Sequence, residues 1–170
     1  MSMASDSPSG AVAICPGTFD PLHYGHLDVV RRAAEIFHHV VVAVYDAPAK
    51  GVLFNTAERL SMAREAVKDL KNVEVSSYDG LTVDYALTRG ARAIIRGLRA
   101  TSDFEFEFQL ALMNRHLNHA IEALFLMTSL EHAHLSSSLV KEITQLGAQP
   151  DGLVPPAVAD ALRRRREESL

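Results

Sequence analysis

Ala11-Val12-Ala13-Ile14-Cys15-Pro16-Gly17-Thr18-Phe19-Asp20-Pro21-Leu22-His23-Tyr24-Gly25-His26 changes its period halfway along, and that change decides the fold. Residues 11–15 are an unbroken apolar run closed by Pro16-Gly17, the pattern of a strand buried on both faces. From Gly25 the apolar residues Leu27, Val30, Ala34 and Phe37 fall three, four and three apart, on one face of a helix. A buried strand that turns through Gly and Pro into an amphipathic helix is the opening unit of a parallel sheet.

The unit recurs along the chain. Residues 40–45 form a second buried run, followed by a helix that Asn55 and Glu58 open as a capping box and that runs to about Leu70. Residues 73–75 predict a third strand, 83–88 a helix stopped by Gly90, and 93–96 a fourth strand ended by Gly97. Residues 104–108 alternate Phe and Glu as a strand would, but Ser102 and Glu105 read as a capping box. Phe106, Leu110, Met113 and Leu117 continue a stripe that only a helix presents on one face, so this segment is predicted helical. Residues 123–127 make a fifth strand, and a helix follows from about Ser137 to Gly147. A last helix starts at Pro156, where the missing N–H costs nothing, and frays into a solvated arginine tail over residues 163–166. The expected fold is α/β, one doubly wound five-stranded parallel sheet with helices on both faces. It forms a single domain over residues 11–170, behind a polar N-terminal extension, residues 1–10, that is expected to be disordered.

Composition narrows the function. With one cysteine in 170 residues there is no internal disulfide framework and no multi-cysteine zinc site, which suits a reducing compartment; a cytoplasmic location is expected. Cys15, inside a buried strand, reads as packing rather than as a nucleophile. No apolar run approaches the roughly 18 residues that cross a bilayer, and residues 1–10 lack a signal pattern, so no membrane association is expected. A net charge of −4 disfavours broad capture of a nucleic-acid backbone, and any polyanion site must be local.

In open parallel sheets ligands bind beyond the carboxyl ends of the strands, and the informative residues here follow strands. Gly17 lets the backbone approach an anion, Thr18 offers a hydroxyl, and His26 falls in the first turn of a helix, where free N–H groups and the dipole favour negative charge. A lone histidine there would be read as solvated; the complete string carries the anion reading. Arg96 and Arg99, following a strand on either side of Gly97, offer guanidinium forks that suit phosphate oxygens. Ser136, Ser137 and Ser138 open a helix with hydroxyls and free N–H groups, one of them also serving as its N-cap. Lys50 on its own is an ordinary exposed lysine.

Gly17-Thr18-Phe19-Asp20-Pro21 followed by His23-Tyr24-Gly25-His26 resembles the motif of the nucleotidyltransferase superfamily with a Rossmann-like fold. The histidines of that motif are at least as reminiscent of the nicotinate mononucleotide adenylyltransferases, because phosphopantetheine adenylyltransferases often carry Thr where His23 stands. The later segments decide the resemblance. Ile95-Arg96-Gly97-Leu98-Arg99-Ala100, Asp103-Phe104-Glu105, Met113-Asn114-Arg115-His116-Leu117 and Ser136-Ser137-Ser138-Leu139-Val140-Lys141-Glu142 are similar to the phosphopantetheine adenylyltransferases, over essentially the whole folded chain. The nicotinate enzymes usually end the serine motif on Arg, where this chain has Lys141. Cys15 and Phe106 stand where that family commonly has Tyr, and His132 where an aromatic often precedes the serines.

The resemblance implies transfer of the adenylyl group of ATP to 4′-phosphopantetheine, with a nicotinate or nicotinamide mononucleotide adenylyltransferase as the alternative and a nucleotide-binding regulator without chemistry as a further rival. It implies that His26 stabilises the transition state, helped by Lys50 and Arg99. ATP would meet Thr18, Phe19, His23, His26, Gly97, Leu98, Arg99 and Glu107, with His132, Ala133, His134, Leu135, Ser136, Ser137 and Ser138. Phosphopantetheine would meet Thr18, Lys50, Thr82 and Arg96. Mg2+ would arrive on ATP, with no protein side chain as ligand. A homohexamer and inhibition by coenzyme A are implied by the family alone.

Overall fold

Every residue from Ala13 to Cys15 and from Val40 to Val44 is apolar and buried, because the strands they form lie in the middle of a sheet covered on both sides. The computed structural model describes residues 10–48, 51–99 and 101–168, the side chains of residues 101–103 excepted. Its strands are β1 (Val12–Gly17), β2 (His39–Tyr45), β3 (Val73–Tyr78), β4 (Ala91–Leu98) and β5 (Glu122–Met127). The helices are α1 (Tyr24–Ile36), α2 (Thr56–Val67), α3 (Thr82–Thr88), α4 (Thr101–Leu117), α5 (Ser137–Gln145) and α6 (Pro156–Glu167). All neighbouring strands are parallel, in the order β3-β2-β1-β4-β5. The doubly wound α/β fold expected from the sequence is the observed one.

Side chains of a strand alternate faces, and the two cores follow that alternation. Ala13, Cys15, Val40, Val42, Val44 and Ile95 pack against Leu27, Val30 and Ala33 of α1 and Ala63 and Val67 of α2. Ile14, Val41 and Ile94 face the other way, against Val83 and Ala86 of α3 and Ile121. A third cluster joins α2 to the C-terminal helices through Phe54, Met62, Val140, Val158 and Leu162. Asn55 caps α2 as expected, its side chain accepting the Glu58 N–H at 2.9 Å while the Glu58 carboxylate accepts the Asn55 N–H at 2.8 Å. Gly90, at φ 64°, ends α3 in a backbone conformation that costs glycine little.

Several boundaries differ from expectation. β3 continues past residue 75 to Tyr78, and β4 runs through Gly97 to Leu98, because pairing with β2 and β5 extends both ladders. α2 stops at Val67. α4 starts at Thr101, so Ser102 lies inside the helix rather than at its cap. α6 does not fray at residue 163: Arg163 pairs with Asp151 and Asp160, and Arg165 reaches Glu58 at 2.6 Å and lies over the Phe54 ring. The α4 stripe faces outward in the single chain, with Phe104, Phe106, Phe108, Leu112, Met113 and Leu117 all exposed. The N-terminal extension, apart from Gly10, and Lys50 lie outside the described residues. No helix among those described is long and apolar enough to cross a membrane.

Candidate active site

From β1 the chain runs outward through β2 to β3, then returns to place β4 on the opposite side of β1. The loops leaving β1 and β4 therefore diverge, and a crevice opens between them at the carboxyl ends of the strands. A cleft of about 540 Å3 occupies this point. Gly17, Thr18 and Phe19 wall it from β1, His23, His26, Val29 and Val30 from α1, and Arg96, Gly97 and Arg99 from the end of β4. Phe106 and Glu107 of α4, Thr128 after β5, and Ser136, Ser137 and Ser138 at the start of α5 complete it.

The loop after β1 is held in shape by Asp20. Phe19 takes a left-handed conformation, φ 52°, and the Asp20–Pro21 peptide is cis. The Asp20 carboxylate accepts the N–H of Leu53 at 2.9 Å and of Phe54 at 2.9 Å, and the Lys141 ammonium donates to it at 2.7 Å. Asp20 is thereby committed to bracing the loop.

The two histidines act as one unit. Their rings stack at 3.7 Å, and the edge of Phe19 meets His26 at 5.0 Å between centroids. The His23 N–H donates to Nδ1 of His26 at 3.2 Å, so a neutral His26 carries its proton on Nε2 and remains a donor there. Burial, then repulsion from neighbouring His23 were it also protonated and from the Arg99 and Arg96 charges, holds the His26 pKa well below its ordinary value. Burial, with Arg99 and His132, brings His23 down to about 4. Gly25 is required for this stack, because a Cβ there would stand 3.0 Å from the His23 ring.

Arg96 crosses the floor of the cleft. Its Nε and Nη2 donate to the two Glu107 oxygens at 2.8 and 2.6 Å, and Nη1 donates to the Pro16 carbonyl at 2.8 Å. Burial works against its charge, but the Glu107 hydrogen bonds and charge outweigh it and leave the Arg96 pKa above the ordinary value. Arg99 donates to the Leu135 carbonyl, tying the end of β4 to the serine segment. Ser136 caps α5 by accepting the Leu139 N–H at 3.1 Å, and the Ser137 hydroxyl donates to the Pro21 carbonyl at 2.8 Å. Cys15 is buried, and desolvation pushes its thiol up to about 12, which fits a packing role. Among the described residues no group of three or more His, Cys, Asp or Glu is arranged to hold a metal ion.

The cleft thus unites Thr18, Phe19, His23, His26, Arg96, Gly97, Arg99, Glu107, Ser136, Ser137 and Ser138. Other expected residues lie off its walls. Leu98 is buried, Thr82 shares a hydrogen bond with the Tyr78 hydroxyl at 3.0 Å, and the His132 ring stacks on Tyr24. Ala133 and His134 belong to the turn before α5, and Leu135 packs in the interior while its carbonyl serves Arg99. The sequence reading missed Val29, Val30 and Thr128 as wall residues. Val29 and Val30 stand three and four places after His26, the helical spacing that puts them on its face.

A family model of cytidylyltransferase-like proteins matches residues 14–143. The chain is 51% identical over 152 residues to the phosphopantetheine adenylyltransferase of Geobacter sulfurreducens, covering 89% of this chain and 93% of that one. It is 51% identical over 158 residues to that of Caldanaerobacter subterraneus subsp. tengcongensis, covering 93% and 99%, and 52% identical over 156 residues to that of Alkalilimnicola ehrlichii, covering 91% and 90%. A solved structure assigned as a nicotinate-nucleotide adenylyltransferase, from Vibrio parahaemolyticus, superposes with a TM-score of 0.64 at 18% identity, covering 91% of this chain and 99% of its own, a likeness of fold alone.

Proposed function

This chain belongs to the phosphopantetheine adenylyltransferase family of cytidylyltransferase-like proteins, and we propose that it transfers the adenylyl group of ATP to 4′-phosphopantetheine, forming dephospho-coenzyme A and pyrophosphate. The observation that carries the chemistry is a neutral His26, its Nε2–H free to donate, in a cleft that also holds Arg96 and Arg99.

The acceptor is a phosphate already ionised at neutral pH, so no residue has to remove its proton. Its oxygen attacks the α-phosphorus in line, the bond to the bridging oxygen breaks, and pyrophosphate leaves with the electron pair. Catalysis then consists of alignment and of donors aimed at the α-phosphate oxygens as charge gathers on them. Neutral His26 supplies one such donor through its Nε2–H. Arg96, its plane fixed by Glu107, retains N–H donors on both terminal nitrogens for the acceptor phosphate. Arg99 and Lys50 neutralise the phosphates, and Thr18, Phe19, His23, Gly97 and the serines enclose the nucleotide. Mg2+ enters as part of the MgATP substrate.

Pyrophosphate release from MgATP, measured with 4′-phosphopantetheine, nicotinate mononucleotide and nicotinamide mononucleotide in turn, tests the assignment. Turnover with phosphopantetheine alone is expected; turnover only with a pyridine mononucleotide would overturn it. ATP binding without turnover on any acceptor would indicate the regulator instead.

The exposed apolar face of α4 and the edge strand β5, with Leu124 and Met127, supports self-association, and the homohexamer that the resemblance implies is testable by sedimentation. Coenzyme A carries both the pantetheine and the adenylyl portions of the product, and competition with both substrates in steady-state kinetics is the expected mode of its inhibition. The enzyme works in the cytoplasm, as its single cysteine suits.

A further inference from the structure

Arg59, in the first turn of α2, is 1% exposed, yet its hydrogen bonds go to uncharged oxygens. Nε donates to the Phe54 carbonyl at 3.1 Å, Nη1 to the carbonyls of Thr18 and Tyr45 at 2.8 Å each, and Nη2 to the Thr56 hydroxyl at 2.9 Å. Among the described residues a carboxylate enters this network only indirectly, through Thr56, whose hydroxyl donates to the exposed Asp46. A guanidinium remains charged when buried, and burial without a direct counter-ion is costly. Stability alone would be better served by an apolar side chain.

The placement of the charge suggests its use. Arg59 gathers the loop after β1, the end of β2 and the start of α2, and the first of these is a wall of the cleft. The Thr18 carbonyl it holds belongs to the peptide whose N–H is that of Phe19, and in a trans peptide these two groups point in opposite directions. With the carbonyl drawn inward to Arg59, the Phe19 N–H is turned away from it, on a loop that walls the cleft and bends at Phe19 with φ 52°. The cation also polarises this peptide, strengthening its N–H as a donor.

We propose that Arg59 is a positioning residue for the triphosphate: it orients and polarises the Thr18–Phe19 peptide toward a bound phosphate, whose negative charge completes the compensation that the protein leaves partial. The proposal rests on the cleft being the ATP site but not on which acceptor is used.

ATP with Mg2+, titrated by calorimetry without acceptor, and adenosine, titrated by NMR, separate phosphate binding from base binding in Arg59→Met. In a variant with native circular dichroism, ATP affinity should fall about tenfold or more while adenosine affinity stays within about twofold. Arg59→Lys keeps the charge but loses the fork, and should lie between. ATP affinity within about twofold of wild type, or parallel losses for ATP and adenosine, would overturn the proposal. If Arg59→Met does not fold, the same two titrations on Arg59→Lys decide it by the same criterion, a loss confined to ATP. A wrong acceptor assignment would show only in wild-type turnover and leave these affinities untouched.

Discussion

The ammonium of Lys141 on α5 lies 2.7 Å from Oδ2 of Asp20 in the loop after β1, across 121 residues of chain. Asp20 is almost fully buried and Lys141 largely so, and the same carboxylate holds the chain that enters α2. Breaking the pair from the acidic side strands a partly buried cation and two N–H groups. Asp20→Ala should cost about 3–5 kcal/mol of stability, and Lys141→Met less, about 1–3 kcal/mol, since Asp20 then keeps its backbone donors. Urea unfolding midpoints check both.

His26→Ala removes the proposed donor to the α-phosphate. Turnover should drop by about two decades or more, the scale of losing one such donor, with the far-UV circular dichroism unchanged. Pyrophosphate release under saturating substrates measures it; turnover near normal would remove His26 from the mechanism.

Stability should depend on pH through the stacked histidines. Burial holds both neutral in the folded chain, His23 at about 4, whereas the ordinary value is 6.5. Below that value the unfolded chain binds protons that the folded one refuses, so stability falls as pH falls from 6.5 toward 4. His23 alone contributes on the order of 3 kcal/mol over the window. Urea unfolding at about pH 7.5, 6 and 5 should show the decline, and His23→Thr should flatten it.

Gly97 is a packing requirement as well as a wall of the cleft. A Cβ there would stand 2.9 Å from Cγ2 of Val29 and 3.5 Å from the Thr128 hydroxyl. Gly97→Ala should lower stability by about 1–3 kcal/mol, and adding Val29→Ala should restore most of it. A double-mutant cycle by thermal unfolding tests the coupling.

Much of the fold was readable because its signals are local. Unbroken apolar runs identified β1 and β2, Asn55 and Glu58 marked the start of α2, and the Phe106-to-Leu117 spacing overrode the strand-like Phe/Glu alternation of α4. β3 and β4 run past their expected ends because their last residues are held by neighbouring strands rather than by their own pattern. The outward face of α4 was not readable, since a helical stripe says which residues share a side and not what covers it.

For the site the division is similar. By itself the sequence determined the alternation of strand and helix, the segments that leave the strands, and the residue types gathered there, because periodicity and motif spacing are properties of neighbouring residues. Only the tertiary structure decided that β1 and β4 lie side by side, that Glu107 is committed to Arg96, that His26 keeps its donor on Nε2, and that Leu98 and Thr82 stand off the cleft. Arg59 shows why: in sequence it is an ordinary helical arginine, and its role exists only because folding brings to it the carbonyl of Thr18, 41 residues away, and a burial that no local pattern encodes.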